Sequence, residues 1–368
     1  MEYKRLGDYI REVNVRNRDE KVTNLQGVSI SKMFIPSIAN TIGTDMSTYK
    51  IVKPGQFAYG PVTSRNGDKV SIALYDGSED AIISQAYTVF DIIDKDEVSN
   101  KYLMMWFQRP EFDRYARFHS HGSAREIFDW DELCNVMIPL PSIEHQREIV
   151  EEYETLSRRI SLNEQMIQHL EATALALYRK MFVDNIDKEN LPVGWHMGTL
   201  GEVVECFDHM RRPLAGYDRI DMEKKYPYYG AAALMDYVDD FLFDGTYILM
   251  GEDGTVINED NTPVIQYVTG KFWVNNHAHI LKGINGFNEN LLFLALKQTK
   301  VNEYITGGVQ AKINQENMMS IPLLIPTMND LKEITISIEP LFQAMLIKKQ
   351  ENSKLTELQS LLLAKMGQ

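Results

Sequence analysis

The sequence is short of cysteine, of long apolar runs and of positive charge, and each shortage removes a class of protein. Cys134 and Cys206 are its only cysteines, too few for a cysteine-rich zinc site or a disulfide framework, and both read as small buried hydrophobes. No run approaches the roughly 18 apolar residues that a membrane span needs. Glu2, Lys4, Arg5 and Asp8 put charge where a signal peptide requires an apolar stretch, so a cytoplasmic location is expected. Lys and Arg total 38 against 52 Asp and Glu, a formal net charge of −14. That balance argues against a chain whose partners are held by its own cations alone. Catalytic motifs are missing too: there is no phosphate loop, no dinucleotide fingerprint and no HExxH helix. Ser29 to Lys32 fits an SxxK pattern without its companion motifs. Glu223-Lys224-Lys225, with Asp208 upstream, has the ExK form of a nuclease metal site but reads as a polar loop, and Tyr226-Pro227-Tyr228-Tyr229 lacks the Asn or Asp of an amino-methyltransferase tetrapeptide. His119 with His121, or His277 with His279, has chelating spacing, but alternation also marks one face of a sheet. No catalytic residue and no metal ligand is assigned.

What is present is a chain written twice. Residues 141–181 align without a gap to residues 326–366, an offset of 185 that pairs Pro141 with Pro326, Leu170 with Leu355 and Leu177 with Leu362, and that extends back to Gly122 and Gly307. Near the start of each copy Arg5-Leu6-Gly7-Asp8 answers Thr199-Leu200-Gly201-Glu202 at an offset of 194, so the second copy is nine residues shorter between the anchors. The expected organisation is a domain over 1–143, a helix over 144–182, a second domain over 183–329 and a second helix over 330–368. The 368 residues are ample for two cores. By segment these carry 17, 5, 11 and 5 basic against 20, 7, 20 and 5 acidic residues, so the acidity is greatest in the second domain.

In the first helix Ile149, Tyr153, Leu156, Ile160, Asn163, Ile167, Leu170, Ala174, Leu177 and Met181 step alternately by four and three, the seam of a coiled coil with one polar interruption. The same register in the second gives Ile334, Ile338, Leu341, Met345, Lys348, Asn352, Leu355, Gln359, Leu362 and Met366. Polar middles that match favour pairing, and the domain between the helices favours an antiparallel pair with the domains at opposite ends about a pseudo-twofold axis. Each helix would run roughly 57 Å. Asn163 is expected to face Lys348 or Asn352.

Each domain reads as α/β (α+β) with short strands. Asn66-Gly67, between Tyr59 and the run Val70, Ile72, Leu74, signals a hairpin. In the second domain Tyr247–Met250, Val264–Val268 and Phe272–Val274 read as separate strands, and Pro139, Pro141, Pro322 and Pro326 keep each domain apart from its helix.

Leu191-Pro192-Val193-Gly194-Trp195, followed by Thr199-Leu200-Gly201-Glu202, resembles the LPxGW…LG(D/E) opening of a target-recognition domain in specificity subunits of type I restriction-modification systems. Ile138 to Val150, with its Pro-Leu-Pro and Glu144-His145-Gln146-Arg147, resembles that family's junction into a conserved helix. Gly251-Glu252-Asp253-Gly254 and Trp273 to His279 add matches in the second domain, as do Tyr49 to Gly55 and Ser64 to Gly67 in the first. The second junction, Ile325 to Leu331, lacks the Glu-Gln pair, which bears on how strongly a methyltransferase docks there and not on the layout. The resemblance implies a non-catalytic subunit that reads a bipartite double-stranded DNA site and joins two methyltransferase and two restriction subunits. S-adenosylmethionine and ATP would belong to those partners, with no cofactor in this chain.

Base readout calls for bidentate or mixed hydrogen-bonding groups on loops beside hairpins. In the first domain these are Lys32, Ser64, Arg65, Asn66 and Arg125. In the second they are Tyr229, Lys271, Asn275, His277, Gln310 and Lys312.

Overall fold

A computed structural model describes residues 2–37, 43–64, 67, 69–122, 126–184, 186–307 and 310–367. The chain forms two compact units, one of Met1–Leu162 with Glu351–Gln368 and the other of Asn163–Gln350. The long helices Ile143–Phe182 and Met328–Lys365 therefore contribute to both. Among the described residues no helix is long and apolar enough to cross a membrane.

Both units are closed by the same device. In the first, strand Tyr3–Arg5 pairs antiparallel with Met137–Pro139; in the second, His196–Thr199 pairs with Pro322–Ile325. Each leads into a single 3-10 turn, Leu6–Asp8 or Leu200–Glu202. The Leu6 N–H donates to Val136 O and the Leu200 N–H to Ile321 O, both at 2.8 Å. These pairs obey the two sequence offsets. The glycine between them has a packing reason: a Cβ on Gly7 would lie 2.8 Å from Cys134 Cβ, and one on Gly201 would lie 3.1 Å from Met319 O. Cys134 and Met319, themselves 185 apart, end the equivalent short helices Trp130–Cys134 and Gln315–Met319.

The first unit holds two four-stranded sheets. One is antiparallel in the order Ile10–Val13, Thr88–Ile92, Phe57–Tyr59, Ile72–Leu74. The other runs Phe34–Pro36, Leu25–Val28, Ala81–Ile83, Lys50–Val52, with its middle pair parallel. The hairpin signal is realised in Phe57–Tyr59 and Ile72–Leu74, whose ladder continues to Gly60 and Ser71 before the chain turns. Helices Asn100–Gln108 and Pro110–Phe118 bury Phe107 edge-on against the stacked pair Phe57 and Phe90, with Phe112 tilted against Phe107, rings 4.8 to 6.3 Å apart.

The second unit has one six-stranded sheet, ordered Val204–Cys206, Ala278–Gly283, Phe243–Gly251, Ile265–Val274, Tyr226–Tyr229, Leu234–Val238. The two strands read from the sequence over 264–274 are one, Ile265–Val274, paired with Phe243–Gly251 from Ile265 to Phe272. Gly270 (φ +85°) has the backbone conformation of a turn residue but sits opposite Gly245 (φ +133°) in that ladder. This glycine pair bends the ribbon. Phe272 pairs with Phe243 at one end while Ala278 pairs with Gly251 at the other. A straight ladder would put Val274 and Ala278 roughly 30 Å apart, yet the four Cα–Cα steps through the three residues joining them reach at most about 14 Å. The fold-back buries Phe243, Val268, Phe272, Val274, Ala278 and Ile280 together.

The helices pack antiparallel. In the first unit Gln359 Nε2 donates to Ser157 Oγ at 2.7 Å, Arg159 meets Glu351 at 2.7 Å and Asn352 Nδ2 donates to Ile160 O at 3.3 Å. The expected seam residues Ile149, Tyr153 and Leu362 pack on the domain core there, with Leu156, Ile160 and Leu355 half-buried and Asn163 buried, 3% exposed. In the second unit Ile167, Leu170, Leu177 and Leu341 lie against a cluster that also contains Tyr178, Phe182 and Phe342. Those three aromatics fall outside the heptad register because each helix serves two neighbours there, the other helix and its domain. Pro340 lies inside the second helix, unlike the prolines that precede the helices.

At the first junction Gln146 is fully buried. The Ser99 N–H donates to its Oε1, and its Nε2 donates to Glu97 O and Pro141 O, all at 2.9 Å. The equivalent residue, Leu331, is buried in an apolar cluster. The missing Glu-Gln pair thus replaces an internal polar clamp by an apolar one. The exposed Glu144 of the first junction corresponds to Asn329, which is exposed as well.

Candidate nucleic-acid interface

In each unit two distant loops are brought together by the same four backbone hydrogen bonds. In the first unit His121 and Ile127 exchange both N–H···O bonds, the Thr63 N–H donates to Glu126 O at 3.0 Å, and the Phe128 N–H to Pro61 O at 2.8 Å. In the second, Thr306 and Lys312 exchange theirs, the Gly254 N–H donates to Ala311 O at 3.0 Å, and the Ile313 N–H to Glu252 O at 2.8 Å. His121, Ile127 and Phe128 become Thr306, Lys312 and Ile313 by the offset of 185. Gly307 (φ +94°) is required for a second reason: a Cβ there would lie 2.1 Å from Gln310 O.

The second unit surrounds its junction with buried charge. Arg211, its side chain 16% exposed, pairs with Glu252, lies 3.3 Å from Asp208 Oδ2, and donates to Ala278 O at 3.0 Å and Asn276 O at 3.3 Å. The wholly buried His279 has an oxygen at each ring nitrogen, Asp208 Oδ2 at 2.5 Å from Nδ1 and Ile313 O at 2.8 Å from Nε2. Lys312 Nζ stands 3.2 Å from Glu252. Burial works to raise the Asp208 carboxyl, but the hydrogen bond and charge of His279, the Ile280 N–H and Arg211 outweigh it and hold it low. For Glu252 burial is likewise overcome, first by Arg211 and then by His279 and Lys312. These contacts fix the turn Gly251 to Gly254 and the strand start at Ala278, the two segments the sequence had matched to a family pattern. The sequence alone does not join Arg211 to Asp208, Glu252 and His279, which are up to 71 residues apart.

Cys206, Asp208 and His279 have ligand atoms within 4.8 Å of one another. They fit a cation poorly. The Arg211 guanidinium already neutralises Asp208, and burial pushes the Cys206 thiol up to about 12, away from the thiolate that metals bind. Elsewhere, His119 and His121 both face Glu132, at 3.3 and 3.7 Å.

Around the second junction the structure gathers His277, Gln310 and Lys312. His277 pairs with Asp253, and Gln310 lies against the Gly254 turn. Asn275 is 4% exposed; its N–H donates to Tyr229 O and its Oδ1 accepts from the His277 N–H, so its groups hold the loop. Tyr229 is half-buried against Phe272. Lys271 lies apart, opposite Asp244 and 4.5 Å above the Phe241 ring. In the first unit Ser64 is exposed beside Thr63 of the junction. Arg65, Asn66 and Arg125 lie outside the described residues. Lys32 differs from the exposed loop cation the sequence suggested. It is 7% exposed, with its ammonium 2.8 Å from Asp113 and donating to Phe107 O. This also separates it from Ser29, whose hydroxyl turns to Met33 O and Ser31, so no serine–lysine dyad forms.

A family model described as the type I restriction modification DNA specificity domain matches residues 42–172 and 192–357. A protein of Haemophilus influenzae named as a type I restriction enzyme specificity subunit is 32% identical over 135 residues, 37% of this chain and 34% of its own. The match thus spans about a third of that relative's length. The MjaIX specificity subunit of Methanocaldococcus jannaschii is 22% identical over 308 residues, 75% of this chain and 70% of that one. The crystal structure of a type I restriction-modification S subunit from M. genitalium superposes over 99% of this chain and 95% of its own, with a TM-score of 0.55 at 15% identity.

Proposed function

The chain belongs to the type I restriction modification DNA specificity family, and from that premise we propose that each of its units reads one half of a split double-stranded DNA site. The observation that supports this most directly is the duplicated loop junction, which sets Ser64 in one unit and His277, Gln310 and Lys312 in the other beside the same backbone scaffold. Exposed side chains on a rigid scaffold are what base-edge readout requires. Arg65, Asn66 and Arg125 belong to this reading by sequence.

The chain acts in the cytoplasm as a non-catalytic subunit. Two methyltransferase subunits and the restriction subunits dock on it, and they bring S-adenosylmethionine and ATP. With a net charge of −14 the chain leaves much of the phosphate attraction to those partners.

Methylome sequencing of cells carrying the complete system gives the motif. Exchanging one unit for that of another specificity subunit should change one half of it and leave the other intact. A motif that survives both exchanges, or DNA pulldown that recovers none with the methyltransferase present, would leave a scaffold that does not bind DNA.

A further inference from the structure

In the first unit a groove of about 790 Å³ opens beside the loop junction. Its lining includes Lys32, Lys69, Arg114 and Arg117 against the single carboxylate Asp113, a local excess of cations in a chain of net charge −14. Lys32 is already committed to Asp113. The other three face outward. Lys69 is exposed and has no ion pair among the described residues. Arg114 shares Glu111 at 3.0 Å and Arg117 shares Glu126 at 2.5 Å, both pairs well exposed and so weak enough for a phosphate to displace. Phe118, 82% exposed at the end of helix Pro110–Phe118, stands among them. Glu126 ties the groove to the junction, since its carbonyl accepts from Thr63.

The second unit does not repeat Arg117 and Phe118 at the equivalent positions. Counting back from the equivalent residues His121 and Thr306, Arg117 and Phe118 become Asn302 and Glu303. A carboxylate thus replaces the exposed ring, in the domain where acidic residues already outnumber basic ones most.

Resting on the DNA-reading function above, we propose that Lys69, Arg114, Arg117 and Phe118 of the first unit grip the phosphodiester backbone flanking its half-site, so that the two halves of the site are held with unequal electrostatic strength. The cations meet phosphate oxygens, and the Phe118 ring packs on deoxyribose. Three separate cations around one apolar residue suit a chain of phosphates joined by sugars better than a single small anion.

The test uses the full chain assembled with its methyltransferase subunits and fluorescence anisotropy on duplexes bearing both half-sites, across a range of salt. Lys69→Gln, Arg114→Gln and Arg117→Gln should each lower the slope of log K against log salt by about 0.9 per phosphate released, with the methylated motif unchanged. Phe118→Ala should weaken binding without changing the slope. Lys69 forms no ion pair among the described residues, so Lys69→Gln is the variant that disturbs the fold least, and an unchanged thermal transition checks this. Slopes equal to wild type, with specific binding intact, would overturn the groove and leave the DNA-reading function standing. Failure of the wild-type complex to bind any duplex would remove both. Variants that bind DNA normally but no longer co-purify with the methyltransferase would assign the groove to a protein partner and refute the proposal.

Discussion

Arg211→Gln is the substitution that tests the second unit most severely. The guanidinium serves Glu252, Asp208 and the carbonyls of Asn276 and Ala278 from a side chain 16% exposed, beside carboxylates 9% and 13% exposed. Removing one member of a buried ion cluster costs about 3–5 kcal/mol, because the remaining charges stay buried without compensation. For a domain of this size roughly 2–4 °C accompanies each kcal/mol, so the transition of the second unit should fall by about 6–20 °C in calorimetry. The pH dependence supplies a sign. Asp208 and Glu252 are both held below their ordinary values in the folded chain. Their contribution is therefore present above the unfolded carboxylate values, roughly 4, and is lost as pH falls through the folded ones. Without Arg211 the opposing effect of burial gains, and protonated carboxyls no longer need the guanidinium. The gap between wild type and variant should be widest near neutrality and narrow in acid. On DNA, the half-site read by the second unit should lose selectivity while the other keeps it. A loss under about 1 kcal/mol, or a gap that widens in acid, would show that the cluster is not held by this arginine.

Further outcomes follow from other residues. Gln146→Ala should orphan the Ser99 N–H and the carbonyls of Glu97 and Pro141 and cost about 2–4 kcal/mol by chemical denaturation; Leu331→Gln, which places an amide among apolar side chains, should be similarly harmful. Gly7→Ala forces a methyl to 2.8 Å from Cys134 Cβ and should cost about 1–3 kcal/mol, while the open Gly27, with nothing within 4 Å, should tolerate alanine. Asn163→Leu should raise thermal stability while admitting misregistered or oligomeric forms in light scattering, since a buried Asn in a seam fixes register at a cost in stability.

The architecture was legible where the chain repeats itself. Both offsets reappear as hydrogen bonds, Leu6 to Val136 and Leu200 to Ile321, and of the residues the step of four and three picked out, Ile149, Tyr153 and Leu362 pack on the first unit's core. It was less legible where one residue serves two surfaces. Tyr178, Phe182 and Phe342 pack on a domain as well as along the helices, so a heptad alone does not find them. Gly270 has the positive φ of a turn residue but is used to bend a continuous strand against Gly245. Lys32 has the composition of a contact residue and the position of a buried one. The charge cluster depends on Asp208, Glu252 and His279, which only the sheet order brings to Arg211.

The short ribbons Tyr3–Arg5 with Met137–Pro139, and His196–Thr199 with Pro322–Ile325, act as clasps. Each brings the entry and exit of its recognition module to one point, so whatever lies between them is a cassette hung from a fixed hook. On the proposed function, exchanging the segment between the two strands of one clasp would replace a complete reading head without altering the path of the chain on either side. Such an exchange would then change one half of the target at a time and leave the other half as it was.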